Sequence, residues 1–154
     1  VGWWRSLAPA ASPPAAGPTH LAILLPQGVS LPYDDNPVFA LSRDGRQLVT
    51  VGEKDGASKL FVRSFADAEA RTIEGTADSR NPFFSPDGRW IGYFQEGKLK
   101  KILVEGGSPV ALADVPNPRG GVWLDDDTIV SSPQFTAGLW RVPAPWSSLA
   151  TAHR

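Results

Sequence analysis

Three short loops carry the residues whose types and spacing could bind a ligand. They read Asp34-Asp35-Asn36-Pro37, Asp78-Ser79-Arg80-Asn81-Pro82 and Asn117-Pro118-Arg119-Gly120. Amide and guanidinium groups donate hydrogen bonds, and a guanidinium pairs with a carboxylate at two points. If the fold brings the loops together, Asn36, Arg80, Asn81 and Arg119 would converge on a small acidic ligand or on a carboxylate of a partner protein. The alternative is that Asn and Pro only build the turns and that the arginines are merely exposed.

Other kinds of site lack the residues that they need. The chain has no Cys, which excludes disulfides, thiolate zinc sites and cysteine nucleophiles. His20 and His153 have no second His or carboxylate at metal-ligand spacing, and no serine lies in a Gly-x-Ser-x-Gly elbow. Asp125-Asp126-Asp127 lacks the alternating ligands and the closing Glu of a calcium loop, so it indicates a solvated hairpin turn. We therefore predict no catalytic residue, no metal and no cofactor, and a chain that is not itself an enzyme.

The charge balance narrows the possible partners. Lys and Arg number 15 against 16 Asp and Glu, which gives a formal net charge of -1. A general binder of nucleic acid or of anionic membranes would need a basic excess, so neither partner is predicted. Lys98, Lys100 and Lys101 form a small basic run, which we interpret as an outer strand face with solvated ammonium groups.

The candidate loops belong to a repeat with a period of about 40 residues. The segment Asn36–Arg46 matches Asn81–Arg89, and Gly121–Ile129 is a weaker third copy. A second landmark has the same period: Leu60-Phe61-Val62-Arg63, Leu99-Lys100-Lys101-Ile102 and Leu139-Trp140-Arg141-Val142.

Each repeat unit predicts four short antiparallel strands separated by turns. Trp90–Phe94 is a near-continuous apolar run, typical of a strand that is covered on both faces. In the first unit Gly52–Ser58 indicates a longer loop between the second and third strands. The tryptophans that recur at blade positions are interpreted as packing between sheets: Trp90, Trp123 and Trp140. Four strands every 40 residues or so indicate a β-propeller blade. The predicted fold is all-β, a partial β-propeller of about three four-stranded antiparallel blades whose entry loops ring one mouth of the central channel.

The first 32 residues differ in composition from the rest, because Arg5 is their only charged residue and they contain six of the prolines. Residues 1–5, Val-Gly-Trp-Trp-Arg, are typical of the interfacial end of a transmembrane helix. Residues 6–19 read as a Pro/Ala-rich linker. Since the chain has no Met, we expect it to be part of something longer. The domain prediction is an opening strand at 20–31, blades at about 36–75, 79–114 and 119–143 within 20–143, and a divergent tail at 144–154.

The motif Phe84-Ser85-Pro86-Asp87-Gly88-Arg89-Trp90-Ile91 resembles the TolB-type, WD-repeat-like propeller repeat of bacteria. Residues 119–123 and 139–143 resemble the version found C-terminal to membrane-anchored serine/threonine kinases, and 20–31 resembles the strand that opens such propellers. The resemblance implies an extracytoplasmic sensor or interaction region, anchored through an upstream transmembrane helix. It also implies that a protein or a small acidic ligand binds at the channel mouth.

Two alternatives stay open at this point. Similar repeats form the gating propeller of prolyl-peptidase-like serine hydrolases, and the chain could also be a gene fragment without independent function. A kinase domain upstream or a hydrolase domain downstream would discriminate between the first two. Three blades alone would leave two apolar faces uncovered, which predicts self-association of the chain.

Overall fold

A computed structural model of the 154-residue chain describes residues 24–33, 36–134, 136 and 138–145. Within these residues the chain is all-β, with eleven strands and no helix. The predicted transmembrane end at 1–5, the linker at 6–19 and residues 146–154 of the tail lie outside the described residues, as do Asp34 and Asp35.

The strands form three antiparallel sheets, each in sequence order. Sheet 1 contains β1 (Phe39–Leu41), β2 (Gln47–Lys54), β3 (Ala57–Ser64) and β4 (Arg71–Ile73). Sheet 2 contains β5 (Arg80–Phe84), β6 (Trp90–Gln95), β7 (Lys98–Leu103) and β8 (Val110–Asp114). Sheet 3 contains β9 (Gly121–Trp123), β10 (Thr128–Ser131) and β11 (Trp140–Pro143), so in the described residues it has one strand fewer than predicted.

The same hydrogen-bonded turn follows the first strand of sheets 1 and 2. In sheet 2 the Ser85 hydroxyl donates to the Asp87 carboxylate (2.6 Å), which accepts from the backbone N–H of Arg89 (3.0 Å). Ser42 and Asp44 repeat these contacts in sheet 1, and the Ser42 hydroxyl lowers the pKa of Asp44. In sheet 3 Asp127 stands where sheet 2 has Gly88, and it adopts the same left-handed conformation, with φ 58° against 70°.

The predicted loop at Gly52–Ser58 is wrong, because β2 and β3 run through it as a hairpin. They pair up to Lys54 and Ala57, which leaves a turn of Asp55 and Gly56. Both turn residues have positive φ, 54° and 78°, as a tight hairpin turn requires. An Asp-Gly pair meets that requirement at little cost, so the strands extend to the turn.

The apolar run in β6 is covered on both faces, as predicted. Ile91 and Tyr93 pack into the core between sheets 1 and 2. Trp90 and Phe94 point the other way, into the core between sheets 2 and 3, which also contains Trp123. Because strand side chains alternate between faces, one apolar strand supplies both cores and holds the three sheets in a stack.

The first strands of the three sheets are neighbours, with β5 in contact with β1 on one side and β9 on the other. Stacked four-stranded sheets whose first strands meet in this way are the arrangement of propeller blades around an axis. Within the described residues the three sheets do not close into a ring. The predicted fold class is therefore confirmed.

The outer face of sheet 1 is partly covered by the chain that precedes it. Val29 lies so close to Gly52 that a Cβ there would be 2.4 Å from the Val29 Cγ1, and Phe61 on the same face is buried. Of the predicted opening strand at 20–31, the described residues 24–31 make one isolated bridge, between Ser30 and Glu53. This face of sheet 1 is thus less open than three bare blades would leave it.

Lys101 contradicts the solvated-face interpretation, since it is fully buried between sheets 2 and 3. Its Nζ lies 4.6 Å from the ring centroid of Trp90 and 6.0 Å from that of Trp123, and it donates to the Pro145 carbonyl. Burial lowers the pKa of Lys101, and the negative charge of Asp127 partly opposes this shift. Lys101 pairs with Gly92 across β6 and β7.

The tryptophan prediction holds for two of its three residues. Trp90 and Trp123 are buried in the core between sheets, whereas the Trp140 side chain on β11 is 47% exposed.

Candidate ligand site

The loops that enter β1 and β5 enclose one cavity, here called the loop cavity, with a volume of about 150 Å³. It lies between sheets 1 and 2, at the end where the chain enters their first strands. Its lining is mixed: the polar residues are Asn36, Glu53, Ser58, Ser79 and Arg80, and the apolar residues are Pro32, Pro37, Val38 and Val51.

Backbone hydrogen bonds fix the sheet 1 side of the loop cavity. The Val38 carbonyl accepts from the backbone N–H of Val51 (2.7 Å) and from the Thr50 hydroxyl (3.0 Å). These bonds continue the β1–β2 pairing to the residue before β1, so they hold the loop that carries Asn36 against β2.

The sheet 2 side is tied to the β2–β3 hairpin. The backbone N–H of Asp78 donates to the Ser58 carbonyl (2.8 Å), and the buried Ser79 hydroxyl donates to the Thr76 carbonyl (2.5 Å). Thr76 is itself buried and accepts from the backbone N–H of Leu60 (3.1 Å). Because the loop before β5 is bonded to sheet 1, the backbone that presents Arg80 is held in place relative to Asn36.

The loop cavity holds one positive and one negative side chain. Arg80 and Glu53 are both exposed, and neither side chain forms an ion pair or a hydrogen bond with any of the residues that the structure describes. The nearby cation Lys59 is paired with Glu74 at 3.9 Å. The arrangement leaves a guanidinium and a carboxylate available to bind a ligand.

Asn81 does not line the loop cavity, although it directly follows Arg80. Its side chain is 2% exposed, its backbone has φ 49°, and the pairing of β5 with β6 shifts register between Arg80 and Phe83. Neither amide atom has a hydrogen-bond partner among the described residues. The backbone of Asn81 is left-handed, a conformation that Asn tolerates better than most residues.

Arg119 is exposed on the loop before β9, and it is absent from the lining of the loop cavity. Its backbone N–H donates to the Ser132 carbonyl (3.0 Å), which holds the loop against the end of β10. Of the four predicted site residues, the structure brings Asn36 and Arg80 together and places Asn81 and Arg119 elsewhere.

The sequence interpretation missed Glu53 and Ser58, which face each other across β2 and β3. They fall in Gly52–Ser58, for which the sequence pattern predicts a loop. The Asp55-Gly56 pair is a hairpin signal that would have placed them on paired strands.

Two further searches concern only the described part of the chain. No group of three or more His, Asp or Glu there is arranged to hold a metal ion. No helix there has the length and apolar character needed to cross a membrane.

Comparisons with known proteins support the fold. No protein-family model matches the chain, and no curated protein matches it. The chain is similar to a solved structure from Agrobacterium tumefaciens that is described as a TolB, with a TM-score of 0.50 and 20% sequence identity. The similarity covers 64% of this chain and 39% of that chain, so this chain corresponds to well under half of that protein. With the strand order described above, this similarity identifies the fold as a set of TolB-like β-propeller blades.

Proposed function

We propose that the chain is a non-catalytic binding module in which TolB-like blades recognise a carboxylate at the loop cavity. The carboxylate is presented by a partner protein or by a small acidic ligand. The observation that carries the proposal is Arg80, an exposed guanidinium without a side-chain partner among the described residues, at the edge of a cavity built by two blade-entry loops.

Arg80 suits this role because its guanidinium matches a carboxylate and because its backbone is held in a paired strand. A guanidinium binds a carboxylate through two parallel N–H···O hydrogen bonds, and Arg keeps its charge throughout the physiological pH range. Its backbone starts β5, where it pairs with Phe94 in the buried strand β6. Asn36 supplies an amide to the same cavity from the sheet 1 side.

We further propose that the module belongs to the extracytoplasmic region of a membrane-anchored bacterial serine/threonine kinase. Three sequence features support this context: the Trp3-Trp4-Arg5 start, the Pro/Ala-rich linker and the likeness of 119–123 and 139–143 to kinase-associated repeats. Binding at the loop cavity would then be relayed through the linker to the kinase. Sequencing the gene on both sides tests the context: a kinase domain and a transmembrane helix upstream support it, and a serine-hydrolase domain downstream overturns it.

Titration of the ¹⁵N-labelled chain with acetate, followed by NMR, tests the carboxylate site. We expect shift changes at the backbone amides of Asn36, Ser79 and Arg80, which Arg80→Gln abolishes. Arg89→Gln is the matched control, because Arg89 is also exposed but lies on the turn after β5, at the opposite end of that strand. Identical acetate shifts in the wild type and in Arg80→Gln would overturn the proposal.

A further inference from the structure

We infer that the loop cavity binds a free, small α-amino acid as its zwitterion. This inference rests on the proposed carboxylate site and adds a second charged group, Glu53, which no sequence pattern had assigned to a site. Arg80 would bind the ligand carboxylate and Glu53 its ammonium group.

The backbone of Glu53 is held from two sides. It exchanges backbone hydrogen bonds with Ser30, with N···O distances of 2.7 and 3.0 Å, and it pairs with Ser58 across the hairpin. The cation nearest along β3, Lys59, is engaged by Glu74. Glu53 therefore lines the cavity from a fixed backbone position, and its carboxylate has no neutralising partner among the described residues.

Arg80 and Glu53 line the same cavity and form no ion pair with each other. Arg80 starts β5 of sheet 2, whereas Glu53 lies near the end of β2 of sheet 1, and the cavity separates them. The backbone on both sides is fixed, because Glu53 exchanges two hydrogen bonds with Ser30 and the loop before Arg80 is bonded to Ser58. A ligand with both charges can bridge them and satisfy both at once.

The paired charges also reject other ligands. A simple carboxylate gains the Arg80 contact but brings a negative charge close to Glu53, and a simple amine meets the opposite conflict. Specificity arises from such a repulsive element as much as from the attractive contact. A zwitterion with its two charges on one carbon skeleton avoids both conflicts.

The size and the lining of the cavity select small amino acids. A volume of about 150 Å³ is well below the roughly 300–1,000 Å³ of sites for drug-sized ligands. Pro37, Val38 and Val51 offer an apolar wall to a short aliphatic side chain. Glycine, alanine and serine fit these conditions, whereas large aromatic amino acids do not.

Isothermal titration of the full chain with three ligands tests the inference. The ligands are L-alanine, N-acetyl-L-alanine, which lacks the ammonium group, and L-alanine amide, which lacks the carboxylate. We expect L-alanine to bind at least tenfold more tightly than either analogue. Glu53→Gln should weaken L-alanine binding at least tenfold without weakening N-acetyl-L-alanine, and Arg80→Gln should abolish both.

The outcomes separate this inference from the proposed function. The amino-acid inference is overturned if L-alanine and N-acetyl-L-alanine bind with equal affinity and Glu53→Gln does not change the affinity for L-alanine. That result would still be consistent with the proposed carboxylate site. No binding of any ligand by the wild-type chain overturns both. Glu69→Gln, at an exposed carboxylate that does not line the cavity, is the charge-matched control, and urea unfolding checks that each variant folds.

Discussion

Arg43 and Asp125 form an ion pair between the first and the third sheet, with Nη1 2.5 Å from Oδ1. Arg43 lies in the turn after β1 and Asp125 in the turn after β9, so the pair passes across the end of β5 in the sheet between them. A contact between non-neighbouring sheets is possible only where the first strands converge. The pair therefore marks the inner side of the stack, where a propeller has its axis.

This ion pair should add little to stability. Its side chains are 69% and 70% exposed, and exposed pairs are typically worth about 0.2–1 kcal/mol. A double-mutant cycle of Arg43→Ala and Asp125→Ala, followed by urea unfolding, should give a coupling energy in that range. Because salt screens exposed charges, the coupling should shrink in 1 M NaCl. A coupling energy that does not change in 1 M NaCl would contradict the interpretation of the pair as solvent-exposed.

Tyr93 should make the chain sensitive to alkali. Burial raises the pKa of Tyr93 from 10.0 to about 12, so the native state favours the neutral phenol. Below pH 10 the phenol is neutral in both states, so the free energy of unfolding does not depend on it. As the pH rises from 10 to about 12 the unfolded state loses its proton first, and the free energy of unfolding falls. Two pKa units correspond to roughly 3 kcal/mol. We expect Tyr93→Phe to remove this alkaline loss, measured by urea unfolding between pH 10 and 12.

The same substitution has a second readout at pH 7. The Tyr93 hydroxyl is buried and has no hydrogen-bond partner among the described residues, which costs about 1–3 kcal/mol. Tyr93→Phe should therefore unfold at a higher urea concentration than the wild type. Tyr33→Phe is the control, because Tyr33 is fully exposed. The alkaline prediction would be refuted if the free energy of unfolding of Tyr93→Phe fell between pH 10 and 12 as steeply as that of the wild type.

Gly92→Ala should destabilise the chain, because the Phe83 ring occupies the place of the new methyl group. A Cβ at Gly92 would lie 2.4 Å from two ring atoms of Phe83. Overpacking of a core costs about 1–3 kcal/mol. Gly138→Ala is the matched control, since nothing lies within 4 Å of its added Cβ. Combining Gly92→Ala with Phe83→Leu should recover part of the loss in urea unfolding, and equal losses in both glycine variants would exclude the steric cause.

Asn81 variants separate a backbone role from a ligand role. Because Asn81 has φ 49°, Asn81→Gly should be more stable than Asn81→Ala by roughly 1–2 kcal/mol. Since its amide does not line the loop cavity, Asn81→Gly should keep the acetate-induced NMR shifts. Loss of those shifts in a folded Asn81→Gly variant would show that Asn81 belongs to the site after all.

The edge of sheet 3 should promote self-association of the chain. In the described residues β11 pairs only with β10, and Leu139 and Trp140 beside that edge are exposed. An unpaired strand edge with apolar neighbours is a template for pairing with another chain. Sedimentation velocity should show a mass that rises with concentration, and Trp140→Lys should reduce it. Leu24→Lys is the control at an exposed leucine away from this edge, and a monomer at all concentrations would argue against the prediction.

Local sequence patterns were sufficient to predict most strands and turns of the blades. The apolar run of β6 and the Ser-Pro-Asp-Gly turn before it predict a buried strand and its start, because alternation and turn chemistry act over a few residues. The repeat predicts that these units stack. The Asp55-Gly56 hairpin was also encoded locally, and the interpretation of that segment as a loop missed it.

The loop cavity required the tertiary structure. Asn36 and Arg80 were predicted to converge and do line one cavity, but the same repeat placed Asn81 and Arg119 with them, and neither lines it. Equivalent positions in a repeat share a backbone environment, but the neighbouring blade decides which side chain reaches a given cavity.

The sequence by itself determined the all-β repeat, the turns and the apolar strands, because these follow from contacts between residues close along the chain. The stack decided that Lys101 is buried between two tryptophans, that Glu53 faces the same cavity as Arg80 and that Arg43 reaches Asp125. Each of these depends on the spacing between sheets, which is set by packing over long sequence separations. No periodicity within a single strand contains that information.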